Sequence, residues 1–504
     1  MRHRTPGALL IASFLYLLIA NLIWIARDTR PPFWDMAVHQ RSALSIYEAA
    51  AGSGIAAISA IPHLTGDYPP LYHVIVAIFY AIFGKSVDAA QWANLPAIAL
   101  LGLATYKLAR PLLSPPAAAA AAALVNFYPY LLWLSRETLI DYWLAAIVAL
   151  SMWALIRTKE FSDRKASILF GIACGLGLLT KWTFPFFVLL PAVWLARKHL
   201  RNAMLAAAVA AVIAAYWYVP SAGALSEFLK TNAAGGMTEG DPARFSAQAF
   251  IFYIRALEGY QLFLPLFAAF IAGAILLVGN FRREWIPVVL WLAGGWLGLM
   301  LFQNKDPRYS APLLPAVALI TAQLIQKKHA LLYAMVPLVL FQHYLVSFGV
   351  PFLPPAVVLA NGTGGPIPWD WNLYTQTHHD LWGPPAREDW RIRHVLERVG
   401  SIPGRSARLG MVPDIPRFDT SAFEFYIALS KAPVTITRVG TLDAGAIANN
   451  DFILVSEQDR GWAFARQDPA INAYVFGHPE LFRMVESFSL PNGDVIRLYK
   501  VGSA

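Results

Sequence analysis

Eleven apolar runs, each bounded by charge, fill the first 350 positions and leave this chain few ways to fold. They cover 8–26, 93–110, 116–134, 139–157, 166–180, 183–197, 202–220, 249–278, 285–302, 310–326 and 330–349. Inside hydrocarbon every backbone polar group must be satisfied within its own segment, so runs of this kind become helices. Composition agrees: 57% of the 504 residues are hydrophobic and 14% charged, against about 45–50% and about 25% in soluble domains. The chain reads as a polytopic α-helical membrane protein. Its formal charge of +9 then fits Lys and Arg collected in cytoplasmic loops rather than nucleic-acid binding. The one cysteine, Cys174, lies in an apolar run, so packing suits it better than a disulfide or a metal. The basic start and long first run, "MRHRTPGALLIASFLYLLIANLIWIARD", read as a retained helix. Runs 166–180 and 183–197 flank "TKWTFP", where Lys181 and Pro185 forbid a single continuous helix.

The short loops "YKLARPLLSPP", "RTKEFSDRK", "RKHLR", "FRREW" and "QKKH" follow runs two, four, six, eight and ten. All five therefore share one side, which the positive-inside rule makes the cytoplasm. A twelfth stretch, "GDYPPLYHVIVAIFYAIFGK", has an apolar run only from Leu71 to Phe83. If it crossed, the first helix and the five basic loops would conflict. It is expected to lie on the outer surface as an interfacial helix, within a long first outer loop over about residues 27–92. Pro69 and Pro70 suit its first turn. "MAVHQRSALSIYEAAA" reads as another helix of that loop. The N-terminus is then cytoplasmic, and the end of the chain outside.

Beyond about residue 350 the character changes. The membrane part is assigned to 1–350 and a small extracytoplasmic α/β domain to 351–504. "NGTGGPIPWDWNLYTQTHHDLWGPP" reads as loop, with His378 and His379 solvated. Next come a helix in "REDWRIRHVLERVG", a strand in "ARLGMV", a helix in "SAFEFYIALSK", strands in "PVTITRV" and "DFILVS", and a hairpin around Asn-Gly in "ESFSLPNGDVIRLYKV". No repeat of fixed period is present.

Charge in hydrocarbon is costly, at least about 2.5–3.5 kcal/mol at the centre, so the places that tolerate it are informative. On the outer side, acids and bases crowd the ends of the runs: Asp35, Asp67, Arg136, Glu137, Asp141, Lys181, Lys305, Asp306 and Arg308. The positive-inside rule does not account for them, and they are expected to converge on one cavity. Each has a plainer reading as well. Glu137 and Asp141 share a face if a helix begins there, and acids in a first turn also suit the helix dipole. Asp35 is placed to cap a helix, Lys181 to snorkel, and Arg308 to clip Asp306. His39, His63 and His73 lack metal-ligand spacing, so no metal site is expected. The glycines of "GIACGLGLLTK" sit in an apolar helix, where they allow close packing, and lack the strand a phosphate loop requires.

Five stretches in this order, "WDMAVHQ", "GDYPPLYH", "SRETLIDYWLA", "GLGLLTKWTFPFFVLLP" and "NKDPRYSAPLLP", resemble the polyprenyl-phosphate-dependent glycosyltransferases of the GT-C fold. Within that group the chain looks most like the bacterial dolichyl-phosphate-mannose-protein mannosyltransferase-like and lipid A aminoarabinose transferase-like families, over about residues 8–350. The resemblance implies an inner-membrane enzyme that moves a sugar from a polyprenyl phosphate to a hydroxyl on a lipid, glycan or protein, with inversion and no obligatory cofactor; some relatives use a divalent metal, which the residues here do not indicate. It implies Asp35 as general base, because an attacking hydroxyl must lose its proton. Lys181, Arg308 and Tyr309 are implied as the donor-phosphate site, because the leaving phosphate gains charge. Glu137, Asp141, Tyr68, Tyr72 and His73 are implied around the acceptor or sugar. Many relatives place two acids together in the first outer loop, whereas here Asp35 is followed by Met36, which weakens a carboxylate-pair mechanism. The rival readings are a polyprenyl-lipid-binding scaffold and a lipid or sugar transporter. A transporter would be expected to show midplane polar groups and inverted repeats.

Overall fold

The computed structural model describes residues 5–362, 369–377, 381–400, 405–458 and 467–502. Every expected apolar run is helical. The helices are Thr5–Arg27, Leu95–Ala109, Pro115–Phe127 with Pro129–Leu134, Ile140–Arg157, Arg164–Thr180, Pro185–Ala196, Leu200–Tyr218, Ala247–Ala256 continuing into Phe263–Gly279, Ile286–Met300, a 3-10 turn Pro307–Leu313 leading into Leu314–Thr321 and Gln323–Lys327, and Leu331–Phe348. Among the described residues, seven stretches are long and apolar enough to cross a membrane. Six are among these runs. The seventh, Trp34–Leu64, belongs to the first outer loop. Its Arg41 pairs with Glu424 of the C-terminal region and its Glu48 with Lys85, so its middle meets protein and charge rather than lipid.

The helix that begins after Pro69-Pro70 spans Leu71–Phe83, about 20 Å long at 1.5 Å per residue and too short for a bilayer core of about 30 Å. It buries Tyr72, His73, Val76, Ala77 and Tyr80 and exposes Ile78, Ile82 and Phe83, the amphipathic pattern of a helix lying on a surface. The break at "TKWTFP" is also present. The Arg164–Thr180 helix ends where Lys181 turns to extended backbone, and the next helix starts at Pro185. Gly171, Gly175 and Gly177 are close-packing positions. A Cβ at Gly171 would lie 2.5 Å from the Ala206 carbonyl oxygen, one at Gly175 2.7 Å from Ile213, and one at Gly177 2.2 Å from the Phe184 ring.

The C-terminal region adds a strand pair and two helices to its sequence reading. Ala356–Gly362 (β1) and Trp369–Thr375 (β2) pair antiparallel, where "NGTGGPIPWDWNLYT" was expected as loop. The pairing is a tertiary effect. Asn372 donates its backbone N–H to Glu258 Oε1 at 3.1 Å and its side-chain amide to the Gly259 carbonyl at 3.3 Å, so β2 docks on the π-turn Leu257–Leu262. His378 and His379 lie outside the described residues. The remaining strands, Ala407–Met411 (β3), Val434–Arg438 (β4), Phe452–Ser456 (β5), Phe482–Ser489 (β6) and Val495–Val501 (β7), form one sheet in the order β4-β3-β5-β7-β6. The first three are parallel, and β7 and β6 antiparallel. Alternation along the strands supplies two cores. Leu409, Leu454 and Leu498 face the helices Ile392–Val399 and Thr420–Ser430, and Ile453, Val455 and Tyr499 face Pro469–Gly477. The β6–β7 turn carries Gly493 at φ +89°, as the Asn-Gly signal predicts. The helices Ala222–Thr238, Ala444–Ala448 and Pro469–Gly477 had no counterpart in the sequence reading.

Candidate active site

Four loops, far apart in sequence, meet at one group of helix ends. Asp306 is the N-cap of the Pro307–Leu313 turn. Its Oδ1 accepts the Arg308 backbone N–H at 2.7 Å and its Oδ2 accepts Arg308 Nε at 2.8 Å. Fixed from behind in this way, the guanidinium reaches forward, and Nη1 donates to Asp35 Oδ2 at 3.1 Å, across 273 positions. Arg308 thus clips Asp306, as the plainer reading had it, and also joins Asp35. Asp35 sits in the first turn of the Trp34–Ser53 helix, with its side chain 41% exposed and open to a reactant. Asp141, in the first turn of Ile140–Arg157, accepts from Lys181 Nζ at 2.7 Å, and both side chains are buried. The ammonium also lies 4.7 Å from the centre of the Tyr309 ring, whose hydroxyl donates to Asn304 at 2.9 Å. Thr138 joins the second outer loop to the first, accepting from Gln40 Nε2 at 3.0 Å and donating to the Met36 carbonyl at 3.2 Å.

Aromatic residues wall this group. Tyr68 is half-buried and lies close enough to Asp35 and Tyr309 that burial first, and then their charges, push its hydroxyl well above the ordinary tyrosine range. Its ring meets His39 edge-on at 4.8 Å and Phe228 at 5.4 Å. Phe228 also faces Trp182, so the Ala222–Thr238 helix covers the tyrosine. His39 Nδ1 and His73 Nε2 share a hydrogen bond of 3.0 Å; His73 therefore meets the group through His39. His63 and Asp67 are exposed. Among the described residues no three His, Cys, Asp or Glu side chains group as metal ligands.

Four expected members, Glu137, Tyr72, Arg136 and Lys305, belong elsewhere. The shared face of Glu137 and Asp141 required a helix starting at Glu137, but the helix begins at Ile140, so four-residue spacing does not align them. The Glu137 carbonyl accepts from Asn94 at 2.7 Å. Its carboxyl faces Arg417, Asp28 and Arg30, and burial raises it to about 7. Buried Tyr72 lies on that side too, beside Tyr80 and Glu137. Arg136 also points away, donating to Asn21 at 2.9 Å and Ser347 at 2.7 Å above the Trp24 ring. Lys305 caps the end of the Ile286–Met300 helix, donating to the Leu299 and Phe302 carbonyls.

Sequence reasoning missed Glu239 and Asp241, in "EGD" after the Ala222–Thr238 helix. Asp241 Oδ2 accepts the Lys305 backbone N–H at 2.7 Å. Burial, then Asp241, Asp306 and Asp35, raise the Glu239 carboxyl to about 7, and burial raises that of Asp241 to about 6. No hydropathy signal marks them; only the fold of the loop brings them near Arg308.

The Lys181–Asp141 pair makes a stability prediction. Breaking a buried pair strands one charge, at a cost of about 3–5 kcal/mol, whereas removing both charges is far less damaging. Asp141→Ala is expected to lower the unfolding temperature in detergent well below that of the Asp141→Leu/Lys181→Met double variant. Equal losses would show that the pair does not stabilise the fold.

Comparison with known proteins gives the same architecture. Residues 67–221 match the dolichyl-phosphate-mannose-protein mannosyltransferase family. The undecaprenyl phosphate-α-4-amino-4-deoxy-L-arabinose arabinosyl transferase of Pseudomonas aeruginosa is 28% identical over 362 residues, covering 65% of this chain and 60% of the relative. The chain thus spans about 60% of the length of the curated relatives it matches. The crystal structure of ArnT from Cupriavidus metallidurans in the apo state superposes with a TM-score of 0.62 at 14% identity, over 99% of this chain and 98% of that one. The same protein bound to undecaprenyl phosphate gives 0.61 at 12%, over 98% and 97%. The chain accordingly carries the fold of these ArnT structures, and its residues 67–221 are similar to the dolichyl-phosphate-mannose-protein mannosyltransferase family.

Proposed function

We propose that the chain is a membrane glycosyltransferase that moves a sugar from a polyprenyl-phosphate donor to a hydroxyl acceptor at the outer face of the inner membrane. The observation that carries this reading is the meeting of an accessible carboxylate, Asp35, with the Arg308 guanidinium at 3.1 Å, beside the buried Lys181–Asp141 pair. The similarity to transferases named for undecaprenyl-phosphate-linked aminoarabinose, and to a structure holding undecaprenyl phosphate, supports the donor class.

The chemistry follows from charge. The acceptor oxygen attacks C1 of the sugar, and Asp35 takes its proton. The bond from C1 to the phosphate oxygen breaks, and its electron pair leaves with the polyprenyl phosphate. That group gains negative charge, which Arg308 meets with a planar fork and Lys181 with a point charge. Attack opposite the phosphate inverts the anomeric centre. Tyr309 packs under Lys181, and Tyr68 lines the approach to Asp35. His73 acts through His39. Asp141 sets the position of the lysine, while Glu137 and Tyr72 support the first outer loop from behind. Glu239 and Asp241 offer two carboxyls, their proton affinity raised by burial, that the ammonium of an amino-pentose, the finer donor class named in the relatives, would pair with. The five basic loops support an N-terminus in the cytoplasm, with residues 351–504 outside as a small domain.

The test uses the full chain in nanodiscs, given synthetic undecaprenyl-phosphate-linked sugars and a bacterial lipid extract. Release of undecaprenyl phosphate together with a glycosylated product in the mass spectrum is the expected result. Donor binding without release would leave a lipid-binding scaffold, and movement of the intact donor across a vesicle membrane would make the chain a transporter. Reporter fusions placing Asp35 and Arg308 in opposite compartments would also overturn the reading.

A further inference from the structure

The residue before Asp35 has an unusual backbone. Trp34 sits at φ +42°, a region bulky side chains rarely enter and hold only when their surroundings fix them there. Those surroundings come from the C-terminal region. Asp419 Oδ1 accepts the Trp34 backbone N–H at 3.3 Å, and Asp414 Oδ1 accepts the indole N–H at 2.7 Å. Both acceptors are themselves held. Asp419 is buried and caps the Thr420–Ser430 helix by accepting from Ser421 at 2.9 Å and Ala422 at 3.1 Å. Asp414 pairs through its other oxygen with Arg438 on β4 at 2.6 Å. On the near side of Trp34, Arg417 donates to the Pro31 carbonyl at 3.1 Å and lies over the Phe33 ring. About two turns further along the helix, Arg41 pairs with Glu424.

From this arrangement we propose that Asp414 and Asp419 are positioning residues: by clamping Trp34 in its left-handed conformation they aim the Asp35 carboxylate at Arg308. The inference rests on the reading of Asp35 as base. A helix whose first residue is gripped at both its main chain and its side chain has a fixed start, and Asp35 is the next residue. Without the grip, relaxation of Trp34 toward ordinary φ rotates the first turn and carries the carboxylate off its line. The C-terminal domain would then be part of the catalytic apparatus without touching substrate, and a chain lacking it would bind donor and turn over slowly.

The test compares Asp414→Ala, Asp414→Asn and Trp34→Phe in the full chain in nanodiscs. Undecaprenyl phosphate binding and single-turnover sugar transfer are measured separately. A misplacement of about 1 Å can cost on the order of 100-fold in rate. The expected result is a fall in kcat of roughly 10- to 100-fold for Asp414→Ala, with undecaprenyl phosphate affinity unchanged. Asp414→Asn, which still offers an oxygen to the indole, restores the rate. Trp34→Phe matches the alanine variant, and combining the two adds no further loss. Wild-type kcat in Asp414→Ala or in Trp34→Phe overturns the proposal. So does a loss that falls equally on binding and turnover and is not rescued by asparagine, since that is what a merely structural contact gives. Hydrogen exchange separates this inference from the one beneath it. If the wild-type chain transfers no sugar, the enzyme reading fails, and the clamp is judged by the amides of residues 33–44. Faster exchange there in Asp414→Ala supports it, and unchanged exchange overturns it.

Discussion

Asp35→Asn is expected to lower the rate of sugar transfer by about 10²- to 10⁴-fold, the range a positioned general base contributes, while undecaprenyl phosphate binding stays at the wild-type level. The substitution keeps the shape of the side chain and its oxygen, so Arg308 Nη1, 3.1 Å from Asp35 Oδ2, keeps an acceptor. Only the capacity to take a proton is lost. Single-turnover transfer with a saturating donor isolates the chemical step, and a parallel binding measurement shows whether the site survives. Full transfer would remove Asp35 as the base and turn attention to Glu239, whose carboxyl is raised to about 7 by burial and neighbouring acids.

The second large effect concerns Arg308. Its guanidinium is shared between Asp306 at 2.8 Å and Asp35 at 3.1 Å, so it has one neighbour that anchors it and one that must respond to substrate. Arg308→Ala removes the cation that meets the leaving phosphate and leaves two carboxylates facing each other without it. Loss of one electrostatic donor of this kind costs about 10²- to 10³-fold in kcat. Because the phosphate is charged before and after the bond breaks, donor affinity is expected to fall as well. Arg308→Lys restores the charge but not the planar fork, since an ammonium cannot serve Asp306 and a phosphate with the same geometry. It is expected to recover binding more fully than turnover. Equal recovery of both would mean that the arginine acts as a point charge alone.

Several features of this arrangement were legible in the residues. Lys181 and Pro185 marked the break between two helices because a buried ammonium and a missing N–H cannot continue a transmembrane helix. The thirteen-residue helix Leu71–Phe83 was legible from its length and the paired prolines. Other features were not. The strand Trp369–Thr375 is held by Glu258 and Gly259 of a π-turn more than a hundred positions away, and its Trp/Asn/Tyr sequence resembles loop until that partner is known. Glu137 looked equivalent to Asp141, and a start of the helix three residues later than supposed turned it to a different set of charges.

By itself the sequence determined which segments are helical, where they break and which of their ends carry charge. Those outcomes follow from a local demand, that each stretch satisfy its own backbone and shed its apolar surface into lipid or protein. Only the tertiary structure decided who meets whom: Asp35 with Arg308, Asp141 with Lys181, Trp34 with Asp414 and Asp419, and Glu239 with Asp241, Asp306, Arg308 and Asp35. Those pairings depend on the depth and rotation of each helix and on the path of each loop. Packing across the whole molecule fixes these, and a one-dimensional hydropathy pattern carries no record of them.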